Sequence, residues 1–270
     1  MTTAPTLPTE QQCPVLHCEN ITKRFGGLTA VNNVSLDVYK GEVIGLVGDN
    51  GAGKSTLIQV ISGVYAPDEG KILVDGRQVS FSTPMDARNA GIETIYQDLA
   101  LATNLNAADN IFLGREILRK QLGVLNVMDR KKMQNEAEAI LNELDITIPG
   151  ITRPIRELSG GQRQAVAISR SIYWNAKLLI MDEPTAALGV PEQRKVYDLV
   201  RKLKERHVPI IVISHNMRDV FAVADRIIVM RRGVKAADLC AKDTNDEEIV
   251  ALMVGKENGN AKKGAPVSQV

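Results

Sequence analysis

Residues 43–62 carry the tightest constraint in this chain. Val43-Ile44-Gly45-Leu46-Val47 is a short apolar run of the kind that forms a buried strand. Gly48 ends it, and Gly48-Asp49-Asn50-Gly51-Ala52-Gly53-Lys54-Ser55 follows. From Lys54, the run Ser-Thr-Leu-Ile-Gln-Val-Ile-Ser reads as a helix that stops before Gly63. Strand, glycine loop and helix start form the context in which the pattern G-x-x-x-x-G-K-[ST] cradles phosphate. The glycines allow backbone N–H groups to point inward as an anion nest. The helix N-terminus adds roughly half a positive charge. A plain glycine turn with an exposed lysine is the alternative, and the flanking strand and helix weigh against it.

On this reading Lys54 reaches the β- and γ-phosphates of a nucleotide, Ser55 holds Mg2+ and Thr56 joins the residues that bind the nucleotide. Lys177-Leu178-Leu179-Ile180-Met181 is a second apolar run, ending in Asp182 and Glu183. Asp182 is placed to meet the metal, directly or through water. Glu183, one residue on, points the other way by strand alternation and is placed to orient and deprotonate a water. An acidic turn at a strand end is common, but less so downstream of a phosphate loop.

These residues resemble the ATP-binding cassette ATPases of ABC transporters, from about residue 15 to about 255. Leu158-Ser159-Gly160-Gly161-Gln162 matches the family's signature pentapeptide, Gln97 its Q-loop glutamine and His215 its switch histidine. Phe25 stands where the family places an aromatic ring against adenine. The implied fold is α/β: a P-loop NTPase core with a largely parallel sheet, an N-terminal antiparallel β layer and an inserted α-helical subdomain. The resemblance further implies ATP and Mg2+ as ligands. ATP would be clasped between the loop of one copy and Ser159–Gln162 of a second. It assigns Gln97 to Mg2+ or water and to coupling with the helical subdomain, and His215 to the γ-phosphate and the placing of Glu183. Each residue also has a plainer reading. Ser159 and Gln162 have capping-box spacing for an ordinary helix through about Trp174, Gln97 is a polar strand end, His215 a satisfied surface group and Phe25 hairpin packing.

One position departs from the family. After Glu183-Pro184-Thr185 it generally has Ser-Ala-Leu-Asp, whereas this chain has Ala186-Ala187-Leu188-Gly189. A carboxylate that organises the dimer interface is missing. The same run, with Gly48-Asp49-Asn50, Gln97-Asp98-Leu99-Ala100 and residues 110–116, is similar to the ATPases of bacterial monosaccharide importers. That similarity implies a second ATPase copy, membrane permease subunits, indirectly a sugar-binding protein, and a place on the cytoplasmic face of the inner membrane. An exporter ATPase, a soluble non-transport ATPase and a non-hydrolytic regulatory cassette remain open alternatives.

Bulk properties agree with a folded, water-soluble chain. At 270 residues it can bury a full core, and 44% hydrophobic with 24% charged residues is globular usage. A net charge of +1 gives no support to a nucleic-acid partner. Cys13, Cys18 and Cys240 are too few and odd in number for a disulfide framework, and fit a reducing cytosol. Cys13, His17 and Cys18 lack the second pair of a metal site and read as strand or tail residues. No run approaches the roughly 18–20 apolar residues of a membrane span, and the N-terminus lacks a secretory pattern.

The expected organisation is a tail over residues 1–14, one ATPase domain over 15–256, and a tail over 257–270. Within the domain, 15–97 and 159–256 form the nucleotide core and about 98–158 the helical subdomain. Strands are predicted at Val15–Phe25, Val31–Tyr39 and Lys71–Ser80, and a helix from Asp129 burying Met133, Ala137, Ile140, Leu141 and Leu144. Strand–helix alternation returns after residue 159. Thr244 with Glu247 predicts a capping box for a last helix through Met253.

Overall fold

The computed structural model describes residues 13–121, 125–186 and 188–255. Both tails beyond these limits, Ala187 and residues 122–124 lie outside the described residues. β1 (Leu16–Phe25) turns at Gly26-Gly27 into β2 (Leu28–Val38), and their side chains alternate between core and surface. Leu16, Cys18 and Ile21 are buried, while His17 and Glu19 face outward. β3 (Val43–Val47) is buried along its whole length and leads into α1 (Lys54–Ile61). β4 (Glu69–Val74) and β5 (Arg77–Val79) are split by the Asp75-Gly76 turn. Together they build an antiparallel sheet of order β2-β1-β4-β5, the layer that the N-terminal strands predict.

α2 (Pro84–Asn89), begun by a capping box from Thr83 to Asp86, was not anticipated. It precedes β6 (Ile92–Ile95). The stretch about 98–158 contains α3 (Ala107–Ile111) and α4 (Arg130–Glu143), but also the antiparallel pair β7 (Leu118–Gln121) and β8 (Leu125–Met128). Asp129 caps α4 by accepting from the Lys132 N–H at 3.1 Å, and Met133, Ala137, Ile140 and Leu141 form its buried face. The 3.6-residue period made that helix readable. The four-residue strands are too short for a period of two to stand out.

The rest alternates as expected: α5 (Gly160–Tyr173), β9 (Leu178–Asp182), α6 (Val190–Glu205), β10 (Ile210–Ile213), α7 (Met217–Val223) and β11 (Arg226–Arg231). β12 (Val234–Cys240) then folds back antiparallel on β11, and α8 (Asp246–Val254) closes the described chain. The cap of α8 differs from expectation by one residue. Asn245, not Thr244, accepts from the N3 amide, that of Glu248, at 3.0 Å, while Thr244 Oγ1 donates to the Glu248 carboxylate at 2.7 Å. Thr244 is still extended, so the first helical turn begins after Asn245.

The second sheet has the order β12-β11-β3-β10-β9-β6 and is parallel except for β12. Period-two alternation sends successive side chains to opposite faces. Ile44, Leu46, Leu178, Ile180, Ile211 and Ile213 join one core, shared with α1 and the antiparallel sheet. Val43, Leu179, Met181, Ile210 and Val212 join another, shared with α3–α6. Continuous apolar strands are the signature of a parallel sheet covered on both sides. In register, Ile213 lies beside both Leu46 and Asp182, so β3, β10 and β9 end together. No helix among the described residues is long and apolar enough to cross a membrane.

Phe112, just past α3, is fully buried, with ring centroids 4.7 Å from Tyr173 and 6.0 Å from Trp174. Trp174 is fixed by donating its indole N–H to the Ile111 carbonyl at 3.1 Å. Phe112→Ala is expected to lower the unfolding free energy by about 3–5 kcal/mol, read by urea denaturation followed by Trp174 fluorescence. A loss under about 1 kcal/mol would mean that the site repacks.

Candidate active site

Asp49, Asn50 and Gly51 form the exposed turn of the loop between β3 and α1, and Ala52 is buried beneath it. The loop is braced from two sides. A Cβ on Gly53, whose φ is +98°, would lie 2.5 Å from the Ala30 carbonyl of β2. Gly233, in the turn between β11 and β12, donates its N–H to the Ala52 carbonyl at 3.0 Å. The unanticipated strand β12 therefore carries the hairpin that supports the loop. Helix α1 has no acidic residue in its first turn, so its free N–H groups keep their positive end. Lys54 Nζ donates to the carbonyls of Gly48 at 2.6 Å and Asp49 at 3.0 Å. Burial pushes its pKa down, opposed by the charges of Glu183, Asp49 and Asp182. Ser55 is exposed and Thr56 half-buried beside it.

Asp182, the last residue of β9, has its pKa pushed up, first by burial and then by Glu183, with Lys54 pulling the other way. Glu183 does not continue the strand. Its φ is +50°, the left-handed region that a glutamate rarely adopts, while its N–H donates to the Ile213 carbonyl at 2.9 Å. Strand alternation was thus the wrong reason for its direction: a strained turn aims it. One carboxylate oxygen meets His215, accepting from its backbone N–H at 3.0 Å and pairing with Nδ1 at 2.7 Å. The other accepts from the Ser214 hydroxyl at 3.5 Å. Strain at one residue, held by interactions from a neighbouring strand, is a mark of functional sites. Lys54, Asp182, Glu183 and His215 therefore converge at the ends of β3, β9 and β10.

Among the described residues, the other candidates make no hydrogen bond or ion pair to that cluster. Gln97 is exposed, two residues beyond β6. Phe25, 41% exposed, meets Tyr65 edge-on at 5.1 Å between centroids, with the Lys23 ammonium 5.7 Å from its ring. Ser159 caps α5: its N–H donates to Gln162 Oε1 at 2.9 Å and its hydroxyl accepts from the Gln162 N–H at 3.3 Å. Among the described residues, no hydrogen bond or ion pair joins 159–162 to 48–56 or to the Asp182–Glu183–His215 group. The paired glycines also answer to their own chain. A Cβ on Gly160 would lie 2.6 Å from Leu188 Cδ2, and one on Gly161 3.1 Å from Glu192 Cβ. Their smallness lets α5 pack beside α6, independently of any ligand.

Gly189, where the resembled family has aspartate, is the N-cap of α6 and offers it no side-chain acceptor. The Glu192 carboxylate sits 2.9 Å from where its Cβ would be. Cys18 is fully buried and its thiol pKa is raised by that burial, and no group of three or more His, Cys, Asp or Glu side chains among the described residues could hold a metal. Sequence reasoning missed Thr185, Ser214 and Asp219, which surround the Glu183 turn. Nothing in their spacing marks them, since Asp219 reads as an ordinary acid in the first turn of α7.

The sequence model of the ABC transporter family matches residues 31–186. The chain is similar to the fructose import ATP-binding protein FrcA of Rhizobium meliloti, 47% identical over 90% of this chain and 95% of that protein. It is also similar to the xylose/arabinose import ATP-binding protein XylG of Sulfolobus acidocaldarius, 46% identical over 93% of this chain and 98% of that protein. Among solved structures, the dimeric post-hydrolysis state of the ATP-binding cassette MJ0796 bound to ADP and Pi matches with a TM-score of 0.68 and 25% identity, over 84% of this chain and 98% of that one. A phosphate loop, an acidic strand end and a histidine at three adjacent strand ends, with relatives at this identity across nearly their whole length, make this chain a member of the ABC transporter ATPase family.

Proposed function

We propose that this chain hydrolyses ATP as one of two identical cassettes that drive the import of a monosaccharide, attached through permease subunits to the cytoplasmic face of the inner membrane. A sugar-binding protein would act upstream, and nucleic acid has no part. The sugar is supported by the similarity to FrcA and XylG, import ATP-binding proteins for fructose and for xylose/arabinose. The observation that carries the mechanism is the Glu183 carboxylate, held by His215 on a strained turn beside Lys54 and Asp182.

Gly48–Thr56 would receive the phosphates through loop and helix N–H groups. Lys54 would leave the Gly48 and Asp49 carbonyls for the β- and γ-phosphates, exchanging dipoles for full charges. Glu183 would orient and deprotonate the attacking water, and His215 would hold Glu183 while reaching the γ-phosphate. Gln97 would contact the metal or the water, and Phe25 would stack on the base. Ser159, Gly160, Gly161 and Gln162 of the second copy would cap the γ-phosphate with the N-terminus of α5. That no hydrogen bond or ion pair among the described residues joins them to the loop of their own chain supports such sharing.

The donors for Mg2+ suit the ion. Two carboxylates, Asp182 and Glu183, face one ammonium, and Asp182 is driven toward its neutral form. A divalent cation matches that excess negative charge, with Ser55, Gln97 and Asp182 as its holders. When bound it would neutralise charge on the phosphoryl oxygens.

Glu183→Gln is expected to lower turnover by about 10²–10⁴-fold while ATP binding, followed by a fluorescent nucleotide, persists. Near-normal hydrolysis would remove Glu183 from this role. Ser159→Arg is expected to block hydrolysis even with an intact loop. Mixed with Lys54→Ala it should regain one working composite site, so an inactive mixture shown to contain mixed dimers would speak against sharing. Asp182→Asn addresses the charge. Because the folded chain raises the pKa of Asp182, its contribution to stability is present at low pH and lost as pH rises through the folded value. Above that value the ionised carboxylate therefore weighs against folding. Without Mg2+, Asp182→Asn should raise the melting temperature by on the order of 2 °C, the gain kept small by solvent screening of a half-exposed group. It should also abolish turnover, and an unchanged or lower melting temperature would contradict the assigned charge balance.

A further inference from the structure

Asp219 lies in the first turn of α7 and is 4% exposed. Among the described residues no lysine or arginine pairs with it. Neutral donors surround it instead. Thr185 and Tyr197 donate their hydroxyls to it at short range, one to each oxygen. Asn216 Nδ2 donates at 3.1 Å and the Ser214 hydroxyl lies at 3.4 Å. Thr185 and Ser214 are themselves buried.

Burying a carboxylate without a cation is unfavourable, and a helix with an apolar inner face has no need of one. The donors show what it joins. Thr185 belongs to the turn that begins at Glu183. Ser214 and Asn216 flank His215, Ser214 accepts from the Asn216 N–H at 3.1 Å, and its hydroxyl also lies 3.5 Å from the Glu183 carboxylate. Tyr197 ties the same point to α6. Two loops from adjacent strands, each carrying a residue assigned to hydrolysis, therefore share one buried acceptor that, among the described residues, makes no hydrogen bond to the ATP-binding loop or to Gln97 or Asp182.

We propose that Asp219 is a positioning residue for ATP hydrolysis: its buried carboxylate clamps the Glu183–Thr185 turn to the Ser214–Asn216 loop, so that Glu183 meets the water at a fixed angle. The proposal rests on Glu183 being the water-orienting carboxylate. The strained backbone of Glu183 needs such a clamp, because nothing in the local sequence favours its conformation.

The test uses the full-length chain, with Asp219→Asn, Thr185→Val and Thr185→Ser made in the native background and beside Glu183→Gln. Single-turnover hydrolysis and the dissociation constant for MgATP are measured. Displacement of a catalytic group by about an ångström costs up to about 100-fold. Asp219→Asn and Thr185→Val should therefore lower the rate by about 10–100-fold while the dissociation constant stays within about twofold. Thr185→Ser, which keeps the hydroxyl, should restore most of the rate. Beside Glu183→Gln, Thr185→Val should add less than about twofold, since the clamp acts through the carboxylate already removed. A full multiplicative loss in that background would overturn the clamp, as would parallel weakening of MgATP binding. If Asp219→Asn does not fold, the Thr185 pair decides alone. Near-normal hydrolysis by Glu183→Gln itself would sink both the role of Glu183 and the clamp, whereas a deep loss there with independent Thr185 effects would sink only the clamp.

Discussion

Everything functional in this chain depends on three parallel strands ending in register. β3, β10 and β9 are buried on both faces, and, Val47 in a third cluster apart, their apolar side chains alternate between two cores. That double burial leaves them no freedom to slip, because a shift of one residue would send every side chain to the wrong core. With register locked, Leu46, Ile213 and Asp182 lie side by side. The loops that follow them are thereby brought together, although they lie far apart along the chain. The carboxyl ends of parallel strands are the usual ligand-binding edge of such sheets for this reason.

The edge so formed is electrostatically unfinished. Lys54 loses hydration and rests on its own loop's carbonyls, while Asp182 is pushed toward neutrality by burial and by Glu183. Glu183 occupies a backbone conformation that costs energy. The two unfavourable charges, on Lys54 and Asp182, are what a bound phosphate and a divalent cation would relieve. The stability for holding them comes from elsewhere, chiefly the two cores and the aromatic cluster of Phe112, Tyr173 and Trp174.

The signature helix presents a different economy of space. Gly160 and Gly161 are small because Leu188, just before α6, and Glu192, in its first turn, press on them. Gly189, the departure from the family pattern, directly follows Leu188, whose side chain packs where a Cβ on Gly160 would lie. The missing aspartate therefore changes the cap of α6 and its neighbourhood with the signature together. Whatever the proposed partner cassette meets on this face, it meets two helix starts packed as one unit.

Much of this was legible in the sequence. The phosphate loop could be read because glycine, lysine and serine at that spacing have one dominant use. Strands β3, β9 and β10 could be read because doubly buried strands are continuously apolar, and α4 because its stripe repeats every 3.6 residues. Strands β7, β8 and β12 and helix α2 could not, being too short or too polar for a period to show, and the cap of α8 shifted by one because Thr244 and Asn245 are both able caps. The amino acids alone determined which residues can cradle phosphate and which runs must be buried. Only the tertiary structure decided that Glu183 turns left-handed onto His215, that β12 braces the loop, and that Asp219 joins two strand ends, because each of these depends on contacts between segments that are distant in sequence and meet only when the sheet has closed.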